Sequence, residues 1–108
     1  MSLQLKPGVD IGGVAPEMVF GGMIVASVYE AFGYRPCRVT SGRDGEHKKG
    51  SLHYVGRALD FGFWNVPQSE RANFAAAIRA ALGEDFDVVM EENHYHVEFD
   101  PKPKAVKV

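Results

Sequence analysis

The sequence predicts an α+β fold, in which a small antiparallel sheet carries two main helices on one face. Two stretches place apolar residues at the spacing of a helix. Several shorter runs alternate between apolar and polar residues with the period of two that is typical of strands. The chain has 108 residues, the size of one domain, so residues 1–108 are predicted to form a single domain.

The first helix is predicted to begin at Pro16 and to run to Phe32. Residues 1–14 contain proline and glycine and are predicted to be an extended or loop segment. Pro16 suits the first turn of a helix, and Gly33 suits a C-terminal cap. The pair Gly21-Gly22 costs about 1 kcal/mol of helix stability at each position relative to alanine. This pair therefore indicates either a close packing contact or a break.

The middle of the chain is predicted to contain two strands joined by a loop. Residues 36–41 form the first strand, and residues 41–50 form a loop rich in glycine and charge. Residues 57–63 form the second strand, with its aromatic and leucine side chains on one face. Asp60 lies on the other face, between the small residues Ala58 and Gly62, which leaves room for a ligand above the carboxylate.

The second helix is predicted over residues 67–82 and ends at Gly83. A hairpin follows, with strands over residues 86–91 and 94–99 joined by a two-residue turn at residues 92–93. The return strand places tyrosine, valine and phenylalanine toward the core and presents three polar residues on its other face: His94, His96 and Glu98. Glu91 lies across from His94 on that polar face. Residues 102–108 are predicted to be a loose tail.

Composition excludes several classes of protein. The net charge of -2 gives no reason to expect nucleic acid as a partner, and no apolar stretch is long enough to insert in a membrane. The N-terminal residues contain no apolar region of a secretory signal, so we expect a cytoplasmic protein or one delivered by another route. The single cysteine, Cys37, forms no intramolecular disulfide and is predicted to be a small core residue.

Histidine and carboxylate side chains are predicted to converge on the polar face of the sheet. His53 precedes the strand that carries Asp60, and His94 and His96 lie on the return strand. Zinc binds such nitrogen and oxygen atoms, and a catalytic zinc site uses three protein ligands and one water, which the ion acidifies. The alternative is that the four histidines are scattered surface groups. Spacing alone leaves both interpretations open.

The pattern Ser51-x-His53-x-x-Gly56-x-Ala58-x-Asp60, followed by His94-x-His96, resembles the M15 zinc peptidases. These are the D-Ala-D-Ala carboxypeptidases and L-alanyl-D-glutamate endopeptidases, which share a fold and metal site with the hedgehog signalling domain. The resemblance spans roughly residues 36–101 and is strongest to compact phage and prophage forms. It implies a hydrolase that cleaves a peptide bond in peptidoglycan stem peptides and, for a phage enzyme, reaches the cell wall through a holin or on the virion.

The resemblance also implies roles for individual residues. One zinc ion would be bound by His53, Asp60 and His96. Ser51 would hold the terminal carboxylate of the substrate, and Arg43 would stabilise the scissile carbonyl in the oxyanion role.

Three further residues near the return strand and the loop complete the predicted site. His94 would act beside the metal, and His47 would line the groove and meet substrate carboxylates. Many members of the family have an acid three residues before the last ligand histidine, where this chain has Asn93. Glu91 is therefore the predicted general base, because it shares a face with His94.

Three alternatives remain open at this point. Another alignment makes His94 the ligand, with Glu91 three residues before it, and Glu92 is a second candidate for the missing acid. The alternative function is a non-catalytic zinc-binding module with a degenerate active site, which the residue Asn93 keeps open.

Overall fold

The computed structural model describes residues 2–45, 47 and 49–101. These residues form an α+β fold with a five-stranded sheet and two helices, as predicted. The strands are β1 (Leu3–Leu5), β2 (Cys37–Ser41), β3 (Ala58–Gly62), β4 (Phe86–Met90) and β5 (His94–Phe99). The helices are α1 (Pro16–Phe32) and α2 (Arg71–Leu82), and short 3-10 turns cover Leu52–Val55 and Gln68–Glu70. The predicted loose tail, residues 102–108, lies outside the described residues.

The sheet has the strand order β1-β2-β3-β5-β4. The β2–β3, β3–β5 and β4–β5 pairs are antiparallel, in agreement with the prediction. The β1–β2 pair is parallel, so the sheet is mixed. The sequence analysis assigned Leu3–Leu5 to the extended lead-in. This strand has only three residues, and all three are exposed. It pairs with residues 37–39 of β2, which lie far away in the sequence.

The helices pack against the apolar face of the sheet. Phe61, Tyr95 and Val97 are fully buried on this face. The Tyr29 hydroxyl donates a hydrogen bond of 3.0 Å to the carbonyl oxygen of Gly62 and so connects α1 to β3. Cys37 is buried in the same core, and burial raises the pKa of its thiol to about 12. The prediction that this cysteine is a core residue is therefore confirmed.

The two glycines of α1 mark a close packing contact, and the helix continues through them. A Cβ atom at Gly21 would lie 2.5 Å from the ring of Phe86 on β4. A Cβ atom at Gly22 would lie 3.5 Å from Leu59, an ordinary contact distance. Gly21 thus lets the helix approach the sheet, whereas Gly22 has room for a methyl group.

The second helix starts later than predicted. A 3-10 turn at Gln68–Glu70 precedes the regular α-helix, which begins at Arg71 and ends at Leu82 before Gly83. Of the helices that the structure describes, none is long and apolar enough to cross a membrane.

Candidate metal centre

Three ligand-type side chains meet on the face of the sheet opposite the helices. Asp60 on β3 and His96 on β5 are direct cross-strand partners, which places their side chains next to each other. His53 reaches the same point from the 3-10 turn Leu52–Val55. The His53 Nε2 atom lies 3.1 Å from Asp60 Oδ1 and 3.1 Å from His96 Nδ1, and the latter two atoms are 3.0 Å apart.

The size of this triangle fits a small metal ion. Zinc binds histidine nitrogen and carboxylate oxygen at about 2.0–2.2 Å, so the ligand atoms of a tetrahedral site are about 3.3–3.5 Å apart. The distances between Asp60 Oδ1 and the two histidine nitrogens are within a few tenths of an ångström of this value. The residues His53, Asp60 and His96 thus form a group that could hold a metal ion.

The outer ring nitrogens of His53 and His96, which point away from Asp60, each lie next to a hydrogen-bond acceptor. His53 Nδ1 lies 2.7 Å from the carbonyl oxygen of Gly42, and His96 Nε2 lies 2.8 Å from Glu98 Oε1. Because a carbonyl and a carboxylate only accept hydrogen bonds, these outer nitrogens carry the protons. In neutral rings, the nitrogens that face Asp60 therefore present lone pairs. Three acceptor atoms then point at each other, and a cation between them, a metal ion or a proton, removes their repulsion.

The electrostatics of the cluster follow from this arrangement. Burial alone would raise the pKa of Asp60, but the hydrogen bonds that protonated rings of His53 and His96 donate, with the charges of His53 and His94, outweigh it and lower this pKa well below 3.8. The hydrogen bond to Asp60 raises the pKa of His96 above 6.5 against the effect of burial, and Glu98 adds to this increase. Asp60 is therefore ionised at neutral pH, and a proton competes with a metal ion for His96.

Ser51 and two glycines, Gly42 and Gly56, hold the turn that carries His53. The Ser51 hydroxyl accepts a hydrogen bond of 3.2 Å from the backbone N–H of His53 and caps the turn. Gly56 ends the turn with a φ of 73°, and a Cβ atom there would lie 2.6 Å from the carbonyl oxygen of Gly13. A Cβ atom at Gly42 would clash with the backbone carbonyl of Asp10. The absence of a side chain at both positions therefore lets the segment of residues 10–14 pack against Gly42 and Gly56.

An open cavity of about 690 Å³ adjoins the cluster. It is lined by seven of the eight residues predicted for the site, namely His47, Ser51, His53, Asp60, Glu91, His94 and His96. Glu91 is exposed, and its backbone N–H donates a hydrogen bond of 2.9 Å to the carbonyl of His94 across the hairpin. The prediction that Glu91 lies opposite His94 on the polar face is therefore confirmed.

His94 lies beside the cluster but contacts the other oxygen of the aspartate. Its Nε2 atom is 3.5 Å from Asp60 Oδ2, whereas His53 and His96 contact Oδ1. The Nδ1 atom of His94 lies 2.7 Å from the side-chain oxygen of Asn93. The geometry thus favours His96 over His94 as the ligand, and Asn93 orients the ring of His94.

His47 packs directly on one of the candidate ligands. Its ring is stacked on that of His53, with 3.9 Å between ring centroids and an angle of 6° between planes. Its Nε2 atom lies 2.7 Å from the carbonyl of Asp44 and 3.2 Å from the Ser41 hydroxyl. His47 thus forms part of the cavity wall and supports the ring of His53.

Arg43 is not brought to the cluster, in contrast to the expectation from the resemblance. Its side chain is exposed, and its Nη1 atom donates a hydrogen bond of 2.9 Å to the carbonyl of Gly12. The backbone N–H of Arg43 also donates to the carbonyl of Asp10. The segment before α1 therefore holds this arginine away from the cavity.

One functional contact was missed by the sequence analysis. The carbonyl of Gly42 fixes His53, and a backbone atom leaves no side-chain signal in a sequence. No family model matches the chain. The functional interpretation therefore depends on the geometry of the cluster and on the motif that forms it.

Proposed function

We propose that this chain is a zinc-dependent peptidase that hydrolyses a peptide bond in peptidoglycan stem peptides. The observation that carries the proposal is the convergence of three acceptor atoms, on His53, Asp60 and His96, within 3.1 Å of each other. The two outer nitrogens are held by Gly42 and Glu98. Such support of ligand histidines is typical of zinc sites in proteins.

The side chains around the cavity provide the remaining chemistry. When bound at this cluster, zinc supplies Lewis acidity, which makes water a nucleophile near neutral pH and polarises a carbonyl. Glu91, on the same wall as His94, takes the proton of the attacking water and delivers it to the leaving amine. His94 faces the cavity beside Asp60, and with both ring nitrogens protonated its Nε2 atom would donate a hydrogen bond to the oxygen on which charge develops.

The substrate class rests on the resemblance and is compatible with the cavity. The volume of about 690 Å³ lies in the range of sites for small ligands, and the open shape admits a segment of peptide. Ser51 and His47 line the same cavity as His53, and we assign them the contact with a substrate carboxylate.

The test combines metal analysis with digestion of purified peptidoglycan. Elemental analysis should find one zinc ion per chain, lost in His53→Ala. Mass spectrometry of the digest should identify one type of cleaved bond. Glu91→Gln should slow cleavage by about 10²–10⁴-fold, as expected for loss of a general base. Glu92→Gln, the same change in the adjacent turn, should retain full activity.

Two results would contradict this proposal. Absence of bound metal at micromolar zinc would refute the metal site itself. Full activity in both Glu91→Gln and Glu92→Gln would show that the base is another group.

A second candidate function is a zinc-binding module without catalytic activity. Two observations favour it: Arg43 is bound to Gly12, and Asn93 occupies the position of the family's acid. This alternative predicts stoichiometric zinc without cleavage of any peptidoglycan bond. Loss of activity in Glu91→Gln, with zinc retained, would exclude it.

A further inference from the structure

A second cavity lies on the other side of Asp60 and His94. Its volume is about 460 Å³, and it opens on the same face of the sheet, over β2 and the end of β3. Its wall includes two cations, one aromatic ring and polar groups, namely Lys6, Arg38, Trp64, Thr40, Ser41 and Asn93. We name it the cationic cavity. It shares Asp60 and His94 with the cavity at the metal cluster, so the two cavities are adjacent.

The positive charge of the cationic cavity is not neutralised. Within the described part of the chain, no salt bridge includes Lys6 or Arg38. Arg38 donates a hydrogen bond of 3.3 Å to the neutral side chain of Gln4, and its guanidinium lies 4.5 Å from the centre of the Trp64 ring. The acid in the wall, Asp60, is already engaged by histidines. An anionic group of a ligand would therefore meet two unpaired cations.

Trp64 provides a flat apolar surface beside these cations. Its side chain is 51% exposed, which is unusual for a large aromatic residue that packs against the sheet. A Cβ atom at Gly62 would lie 3.0 Å from the ring, so this glycine lets the ring lie close to β3. The aromatic surface and the cations together suit a carboxylate joined to a short apolar stem.

The two cavities share Asp60 but differ in their other charged side chains. The cavity at the metal cluster is lined by Glu91 and Glu98, whereas the cationic cavity is lined by Lys6 and Arg38. A peptide that crosses the cluster therefore meets negative charge over β4 and positive charge over β1 and β2. Such complementarity selects one orientation of the peptide.

We propose that the cationic cavity binds a side-chain or terminal carboxylate of a peptide, with the adjoining part of that peptide against Trp64. That this peptide is the substrate rests on the proposed peptidase function. Binding of the carboxylate does not rest on that function, because neither His53 nor His96 of the metal cluster lines the cationic cavity.

Trp64 is the only tryptophan, so its fluorescence reports on this cavity. The probes are two blocked tripeptides, acetyl-Ala-Glu-Ala-amide and acetyl-Ala-Gln-Ala-amide, which differ in one carboxylate. Each is titrated into zinc-loaded protein and into protein treated with a chelator. We expect the acidic peptide to bind about tenfold more tightly in both forms, because each of two exposed ion pairs contributes a factor of a few. This preference should decrease at high salt.

Substitutions test whether Lys6 and Arg38 cause the preference for the acidic peptide. The double variant Lys6→Gln/Arg38→Gln should lose the preference for the acidic peptide, whereas Arg38→Lys, which keeps the charge, should retain it. Arg35→Gln, a matched change at an exposed arginine that does not line the cavity, should also retain it. Equal affinity for the two peptides in the parent protein would overturn the proposal, as would a preference that survives in the double variant. If the parent protein binds no zinc and cleaves no peptidoglycan but still prefers the acidic peptide, the peptidase function is refuted and this inference stands.

Discussion

The contact between His96 and Glu98 gives the sharpest test of the metal centre. The substitution Glu98→Gln keeps the size of the side chain but removes its charge. The amide oxygen of glutamine can still accept from the ring N–H, but it carries no negative charge, and the NH2 group beside it only donates. The change therefore weakens the support of His96 Nε2 without removing any atom that faces the metal.

The expected magnitude follows from the position of this contact. Loss of a partner that orients a ligand histidine typically costs 10–100-fold in metal affinity, or about 1.4–2.7 kcal/mol. The 2.8 Å contact is largely shielded from water, since the side chains of His96 and Glu98 are 17% and 22% exposed. Because glutamine still offers an acceptor oxygen at this position, we expect a loss near the lower end of that range.

The measurement is a competition between the protein and a fluorescent zinc chelator near neutral pH. Glu92→Gln is the matched control, because it makes the same change in the exposed turn of the hairpin and should leave the zinc affinity unchanged. If Glu98→Gln binds zinc as tightly as the parent protein, Glu98 does not support His96 in the metal-bound state.

Three further predictions concern stability and the loop. In metal-free protein, folding lowers the pKa of Asp60, and the stability that this adds is lost as pH falls below 3.8. Folding raises the pKa of His96, and the stability that this adds is lost as pH rises above 6.5. Urea unfolding across pH should show both decreases, and a flat profile above pH 6.5 would contradict the second. Gly22→Ala should raise the unfolding free energy by up to about 1 kcal/mol, whereas Gly21→Ala should lower it. A lower melting temperature for Gly22→Ala than for Gly21→Ala would refute our account of the helix packing. Gly42→Ala displaces the carbonyl that holds the turn, so its zinc affinity should fall at least about tenfold with an unchanged circular dichroism spectrum. Zinc affinity equal to that of the parent would show that this carbonyl is dispensable.

The candidate ligands could be predicted because their placement depends on local rules. Alternation along a strand is enough to put Asp60 on the face opposite Leu59 and Phe61, and to put His96 opposite Tyr95 and Val97. The meeting of the two strands with His53 did not follow from alternation. It came from the resemblance of the spacing to a known metal site, and the structure brings the three residues together.

The features that escaped prediction depend on contacts between distant segments. The strand Leu3–Leu5 is too short to show a periodicity and exists through its pairing with β2. The direction of Arg43 is set by the carbonyl of Gly12, thirty-one positions earlier in the chain. The cationic cavity joins Lys6, Arg38 and Trp64 from three separate segments, and none of these residues belongs to a recognisable motif.

The three candidate ligands are not held with equal firmness, and this has a consequence for metal exchange. Asp60 and His96 are paired residues of two adjacent interior strands, so they keep their separation when no ion is bound. His53 belongs to a short turn outside the sheet, held by the Ser51 cap and the Gly42 carbonyl. The turn can therefore open without unfolding the sheet. The dissociation rate of zinc should follow this local opening, and zinc should slow amide hydrogen exchange in the turn more than in β3 or β5.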